Sequence, residues 1–146
     1  MKLAIRPASA EILAELAAWK YEPPYDFYDG DQEPVRDPER YHGAVGEDGR
    51  LVGFYYYDER EAEVEIGLGL RPDLTGQGLG AEFLRTGLAF ARTRYPGLTV
   101  VLNVAAFNER AIRVYERAGF RETGRHIRSF ERWGELEFVE MAEDGR

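Results

Sequence analysis

One stretch restricts the fold more than any other: Leu70-Arg-Pro-Asp-Leu-Thr-Gly-Gln-Gly-Leu-Gly80. Ahead of it, Val64, Ile66, Leu68 and Leu70 recur with the period of a strand. After it, Phe83, Leu84, Leu88 and Ala91 recur at helical spacing. A glycine-rich turn therefore joins a strand end to a helix start, and the fold must pack helices on a sheet. The first amides of a helix lack intrahelical partners and carry the positive end of its dipole. Glycine at 76, 78 and 80 removes the Cβ atoms that would hold an anion away from them. A phosphate is the guest that suits such a turn; the alternative is an ordinary tight connection, and glycines alone do not separate the two.

The rest of the chain alternates between the two periods. Leu3 and Ile5 mark a short strand that Pro7 ends, and Ser9 is the N-cap of a helix with Ile12, Leu13, Leu16 and Ala17 on one face. Neither period survives from Tyr21 to Asp31, where prolines, tyrosines and carboxylates describe an ordered loop with aromatic anchors. Two readings of this loop stand. Its tyrosines, Tyr25 and Tyr28 among them, and its acids form a wall that attracts an ammonium group, or the aromatics pack inward while Asp26, Asp29 and Asp31 face water. Tyr41 to Val45 and Leu51 to Tyr57 read as antiparallel strands joined at Gly46-Glu47-Asp48-Gly49. A turn around Asp58 to Glu61 leads into the strand Ala62 to Leu70, completing a meander. Beyond the glycine turn and its helix, Pro96-Gly97 stops the chain and Leu98 to Val104 forms a strand. Two strands joined through a helix are expected to be parallel neighbours. Asn108 then caps a helix carrying Ala111, Ile112 and Tyr115, Gly119 takes the C′ position, and Phe120 to Phe130 with Glu135 to Met141 make a final hairpin turned at Trp133-Gly134. The sum is an α+β sandwich of mixed strands, expected to form one domain over residues 1–146.

Composition removes several classes of function. A formal net charge of -8 opposes a general nucleic-acid binder, which needs a basic footprint, and leans towards a cationic partner. No apolar segment is long enough to span a membrane. Glu11 and Glu15 punctuate the stretch Met1 to Lys20, so it has no secretory core, and a cytoplasmic setting is expected. The absence of cysteine excludes a thiolate nucleophile and a cysteine zinc site. His42 and His126 have no metal-ligand spacing, so no metal is expected.

The turn Thr75-Gly76-Gln77-Gly78-Leu79-Gly80, followed by a helix, a strand and then Asn108-Glu-Arg-Ala-Ile-Arg-Val-Tyr115-Glu-Arg-Ala-Gly119-Phe120, resembles the GNAT superfamily of acyl-CoA-dependent N-acetyltransferases. The two motifs stand in the family's order over about Ala62 to Phe120, a combination more specific than either alone. The resemblance implies a mostly antiparallel mixed sheet with helices on both faces and a splayed parallel strand pair. It implies that amides from Thr75 through Gly76, Gln77, Gly78 and Leu79 to Gly80 hold the diphosphate of acetyl-CoA. Backbone groups at Leu68 and Leu70 would pair with the pantetheine arm, Asn108 would contact that arm, and Tyr115 would lie near the sulfur. Thr75 stands where arginine or glutamine is commonest; its hydroxyl can reach a phosphate, but the long bracing side chain is missing.

Acetyl transfer to an amine requires a neutral nucleophile, so a base must take the ammonium proton. Glu65 and Glu63 share the strand face opposite Val64 and Ile66; Glu65, within Glu65-Ile66-Gly67, ranks first by its match to some family members. As bare sequence, both glutamates also suit a solvated strand face. A backbone N–H near Leu68 to Leu70 would serve the oxygen that gains charge, and Tyr115 would protonate the departing thiolate. Without cysteine, direct transfer in a ternary complex is expected. The acceptor would be a small or peptidyl primary amine, with the last hairpin a surface for homodimer pairing. Two rivals remain: a non-catalytic acyl-CoA sensor on the same fold, and a nicotinamide-dinucleotide protein suggested by Gly76-x-Gly78-x-x-Ala81. The latter is opposed by the preceding meander and by Asn103-Val104 where an acidic residue belongs.

Overall fold

The computed structural model describes residues 2–30 and 35–143. Its strands are β1 (Ala4–Pro7), β2 (Tyr41–Val45), β3 (Leu51–Glu59), β4 (Glu63–Leu70), β5 (Thr99–Ala105), β6 (Phe120–Phe130) and β7 (Gly134–Glu143). Its helices are α1 (Ala10–Ala17), α2 (Gly80–Arg94) and α3 (Glu109–Arg117). The seven strands form one sheet in the order β1-β2-β3-β4-β5-β7-β6. Only β4 and β5 run parallel; the other neighbours are antiparallel. The expected fold class is therefore the observed one.

Alternation along the strands decides which helix covers which face. Tyr55, Tyr57, Val64, Ile66, Val100, Leu102 and Val104 join Phe83, Leu84, Leu88 and Ala91 of α2 in the main core, with Ala111, Ile112, Val114 and Tyr115 of α3 packed against it. On the other face Leu16 and Trp19 pack with Val45 and Leu51, and Ile12, Leu13, Tyr41 and Phe54 complete that smaller cluster. Two buried phenols tie β3 to α2: Tyr55 donates to the Phe83 carbonyl at 2.7 Å and Tyr57 to the Gly87 carbonyl at 2.8 Å. Each is worth about 1 kcal/mol net and keeps a buried hydroxyl from going unsatisfied. Helix ends follow their capping residues, since Ser9 Oγ accepts from Ile12 N at 3.2 Å and Asn108 Oδ1 from Ala111 N at 3.2 Å.

The parallel pair is short. Its register covers Glu63↔Thr99, Val64↔Val100 and Glu65↔Val101, although β4 runs on to Leu70 and β5 to Ala105. Beyond Glu65 the strands part. Several bounds differ from the expected ones: β3 continues through Asp58 and Glu59, and β5 is displaced one residue to Thr99–Ala105. Backbone pairing of Asp58 and Glu59 with Glu65 and Val64 outlasts the apolar pattern that marks the strand in sequence.

Candidate active site

The gap between β4 and β5 opens into a cleft of about 820 Å³. The hydrogen-bond phase of β4 fixes what faces it. Arg60 N donates to the Glu63 carbonyl and Arg71 N to the Val52 carbonyl, so odd-numbered residues of β4 bond to β3. The backbone groups of Leu68 and Leu70 consequently point towards β5, where the pairing has ended. Leu70 is partly engaged already, because its carbonyl accepts from Tyr21 Oη at 2.7 Å.

At the mouth of the gap a short 3-10 turn, Pro72–Leu74, leads into the glycine loop. Gly76 and Gly78 have φ of 73° and 78°, a left-handed conformation that L-side chains avoid; Gly80 does not. The Thr75 amide bonds the Pro72 carbonyl at 3.3 Å, whereas among the described residues the amides of Gly76, Gln77, Gly78, Leu79 and Gly80 have no acceptor. The free run thus starts one residue later than expected. Thr75 Oγ1 also turns back, donating to the Pro72 carbonyl at 2.8 Å. Gln77 leaves the cleft lining, and its side-chain amide donates to the Asp73 carbonyl at 2.6 Å, supplying the loop brace that Thr75 does not. Arg71 holds the base of the loop through Asp73 and the Leu51 carbonyl, and this hydrogen bond from Arg71 keeps the Asp73 carboxyl below its ordinary pKa.

Glu65, Leu68, Leu70, Thr75, Gly76, Gly78, Leu79, Gly80, Asn108 and Tyr115 all line this one cleft, as do Tyr25 and Tyr28; Glu63 does not. Glu65 is held from both sides. Asn103 Nδ2 donates to Glu65 Oε2 at 3.0 Å across the point where the strands part, and Arg60 pairs with Oε1. Asn103 Oδ1 is buried without a partner among the described residues. Tyr115 is half-buried, and no side-chain hydrogen bond to its hydroxyl occurs among the described residues. Burial, with a smaller contribution from nearby Tyr28, pushes its pKa above the ordinary tyrosine value, so the phenol holds its proton. Asn108 caps α3 with Oδ1 and donates from Nδ2 to Tyr28 Oη at 3.2 Å, tying the loop before β2 to that helix.

The loop reconciles half of each of its two readings. Phe27 anchors it edge-on against Phe107, Phe130 and Trp133, while Tyr21, Tyr25 and Tyr28 line the cleft. Its acids among the described residues do not make an anionic wall. Asp29 accepts from the Tyr21 amide at 2.7 Å and Asp26 lies 3.8 Å from Arg132, both off the cleft; Asp31 is outside the described residues. His42 packs against Tyr57 and Phe90, and His126 stacks on Phe138.

Asn103 and Arg110 are among the residues at the site that escape the sequence reading. Asn103 carried a signal, a lone amide in the apolar run Val100–Ala105. Arg110 carried little. Its guanidinium lies 4.3 Å from the Tyr25 ring centroid, and a Cβ on Gly76 would stand 3.7 Å from its Nη1.

A sheet split beside free amides at a helix start defines a class of carrier-binding folds, and comparison assigns the family. A model of the Acetyltransferase (GNAT) family matches residues 8–120, and the chain belongs to that family. It is 41% identical over 100 residues to a mycothiol acetyltransferase of Streptomyces coelicolor and 40% identical over 100 residues to one of Clavibacter michiganensis. These matches cover 65% and 66% of this chain but 31% and 32% of those proteins, so the chain spans about a third of the relatives it matches. Among solved structures it resembles a spermidine N-acetyltransferase SpeG chimera from Vibrio cholerae and hSSAT, with TM-score 0.77, 19% identity, and coverage of 98% of this chain and 95% of that one. It also resembles a GNAT-family acetyltransferase from Bacillus anthracis, with TM-score 0.74, 13% identity, and coverage of 97% and 94%. Among the described residues no helix is long and apolar enough to cross a membrane, and no group of three potential metal ligands occurs.

Proposed function

We propose that this chain is a single acetyl-CoA-dependent N-acetyltransferase domain that moves an acetyl group directly to a primary amine in a cytoplasmic setting, without a metal. The observation that carries the reading is the strand gap with unsatisfied backbone: Leu68 and Leu70 face it, and the amides of Gly76 to Gly80 have no acceptor at its mouth. A diphosphate fits those amides and an amide-bearing arm fits the gap. Arg110 supplies at the loop the long cationic side chain that Thr75 is too short to provide.

Acetyl-CoA supplies an activated carbonyl. Glu65 takes the proton of the acceptor ammonium, directly or through water, with Asn103 and Arg60 holding its carboxylate in place. The backbone N–H of Leu68 donates to the carbonyl oxygen as it gains charge. As the amine nitrogen bonds to the carbonyl carbon, the carbon–sulfur bond breaks, Tyr115 gives the sulfur a proton, and the second proton that the nitrogen sheds restores the Tyr115 hydroxyl through solvent. The β6 edge of the sheet, with Ile127 64% exposed, is the surface on which a homodimer would pair. Calorimetry with acetyl-CoA, followed by thiol release over amines of different class, tests the reading. Saturable binding and release that requires an amine are expected; absence of binding overturns it, and binding without transfer to any amine favours the sensor alternative.

A further inference from the structure

Although the chain is acidic overall, the charge left uncompensated in the cleft among the described residues is positive. Five charged side chains line it: Arg36, Asp37, Glu65, Arg110 and Arg128. Both carboxylates are neutralised. Asp37 Oδ2 accepts from Arg40 Nη1 at 2.9 Å and from Tyr56 Oη at 3.0 Å, and Glu65 is held by Arg60 and Asn103. None of the three cleft arginines has an ion-pair partner among the described residues. Arg110 belongs to the glycine-loop end, which leaves two.

Those two flank Glu65 from opposite sides. Arg36 precedes Asp37, whose carboxylate is bonded to Tyr56; Tyr56 stands opposite Gly67, two residues along β4 from Glu65. Arg128 reaches in from β6, its guanidinium 4.7 Å from the Phe138 ring centroid and its Nε donating to His126 Nε2 at 3.1 Å. Phe138 stands opposite Ala105, two residues along β5 from Asn103, the partner of Glu65. Glu65, Asn103, Tyr56 and Phe138 thus share the sheet face away from α2, with an arginine that has no ion-pair partner among the described residues on either side, Arg36 towards β3 and Arg128 on β6.

We propose that Arg36 and Arg128 bind an anionic group on the acceptor, which is therefore an amine that also carries a carboxylate or a phosphate. The inference rests on the acetyl-transfer reading of the cleft. Guanidinium forks bind such anions through paired, charge-assisted hydrogen bonds, and the local field outweighs the net charge of the chain at contact range. A polyamine would bring further positive charge to a site that already holds it, so the lean towards a cationic partner drawn from composition is reversed.

The test uses protein saturated with CoA, which cannot react, titrated calorimetrically with matched pairs: tyrosine and tyramine, lysine and cadaverine, phosphoethanolamine and ethanolamine, with spermidine alongside. The anionic member should bind about ten-fold tighter or more. Arg128→Gln and Arg36→Gln should each shrink that ratio while CoA affinity and melting temperature stay unchanged, and Arg128→Lys should retain part of it. The pair with the larger ratio distinguishes carboxylate from phosphate. Equal or tighter binding of the uncharged-tail members or of spermidine overturns the inference, as does an unaltered ratio in both variants. Anionic amines that bind without releasing thiol from acetyl-CoA would count against the transfer reading and leave this inference standing.

Discussion

Glu65 is the proposed proton acceptor, so Glu65→Gln should lower kcat by roughly 10²–10⁴-fold with acetyl-CoA affinity unchanged, read by thiol release and calorimetry. Because burial raises the Tyr115 pKa, its acid form persists through neutral and mildly alkaline pH. Wild-type kcat should therefore show no alkaline loss from this residue until above about pH 10, and Tyr115→Phe should lower the whole plateau instead of shifting it. Arg110→Gln should weaken acetyl-CoA about ten-fold and leave S-acetylpantetheine, which lacks the diphosphate, unaffected. That Glu65, Asn108 and Tyr115 line one cleft was legible in the sequence, through Glu65-Ile66-Gly67 for the first and the Asn108–Phe120 motif for the other two. The fate of the Thr75 hydroxyl was not, since nothing in sequence says that Pro72 claims it. Arg110 was hidden for a similar reason: an arginine in the first turn of a helix reads as solvated until Tyr25, far away in the chain, is found beneath it.

Among the elements, the glycine turn is the most exposed to test, because its three glycines are not equivalent. Gly76 and Gly78 have positive φ, and alanine there should cost about 1–2 kcal/mol each and move the amides away from the cleft. Gly80→Ala meets only Val114 Cγ2 at 3.7 Å, an ordinary contact, and should leave the melting temperature unchanged. Thermal melts and acetyl-CoA titrations of the three variants check this: loss in the first two and none in the third is the expected pattern. Element identities were legible where one face is buried, as in β4, whose Val64 and Ile66 alternate with Glu63 and Glu65. Strand order was not. β6 and β7 form one hairpin, and only tertiary packing places β7, the later of the two, beside β5.

At the scale of the molecule, burial raises the pKa of Tyr21, Tyr55, Tyr57 and Tyr115 together. Below about pH 10 both folded and unfolded chains hold these protons, so their titration does not change stability; above it the unfolded chain ionises first and binds fewer protons. Stability should fall as pH rises beyond that point. Urea midpoints followed from neutral to strongly alkaline pH, alongside tyrosinate absorbance, check the sign: both should change together.

The inner position of β7 has a further consequence during synthesis. Until residues 134–143 leave the ribosome, the outer margin of β5 has no partner, and the Phe138 ring on which the Arg128 guanidinium rests is missing. A nascent chain halted after β6 would hold both sequence motifs and five paired strands, with the bare side of an apolar strand open to any passing strand.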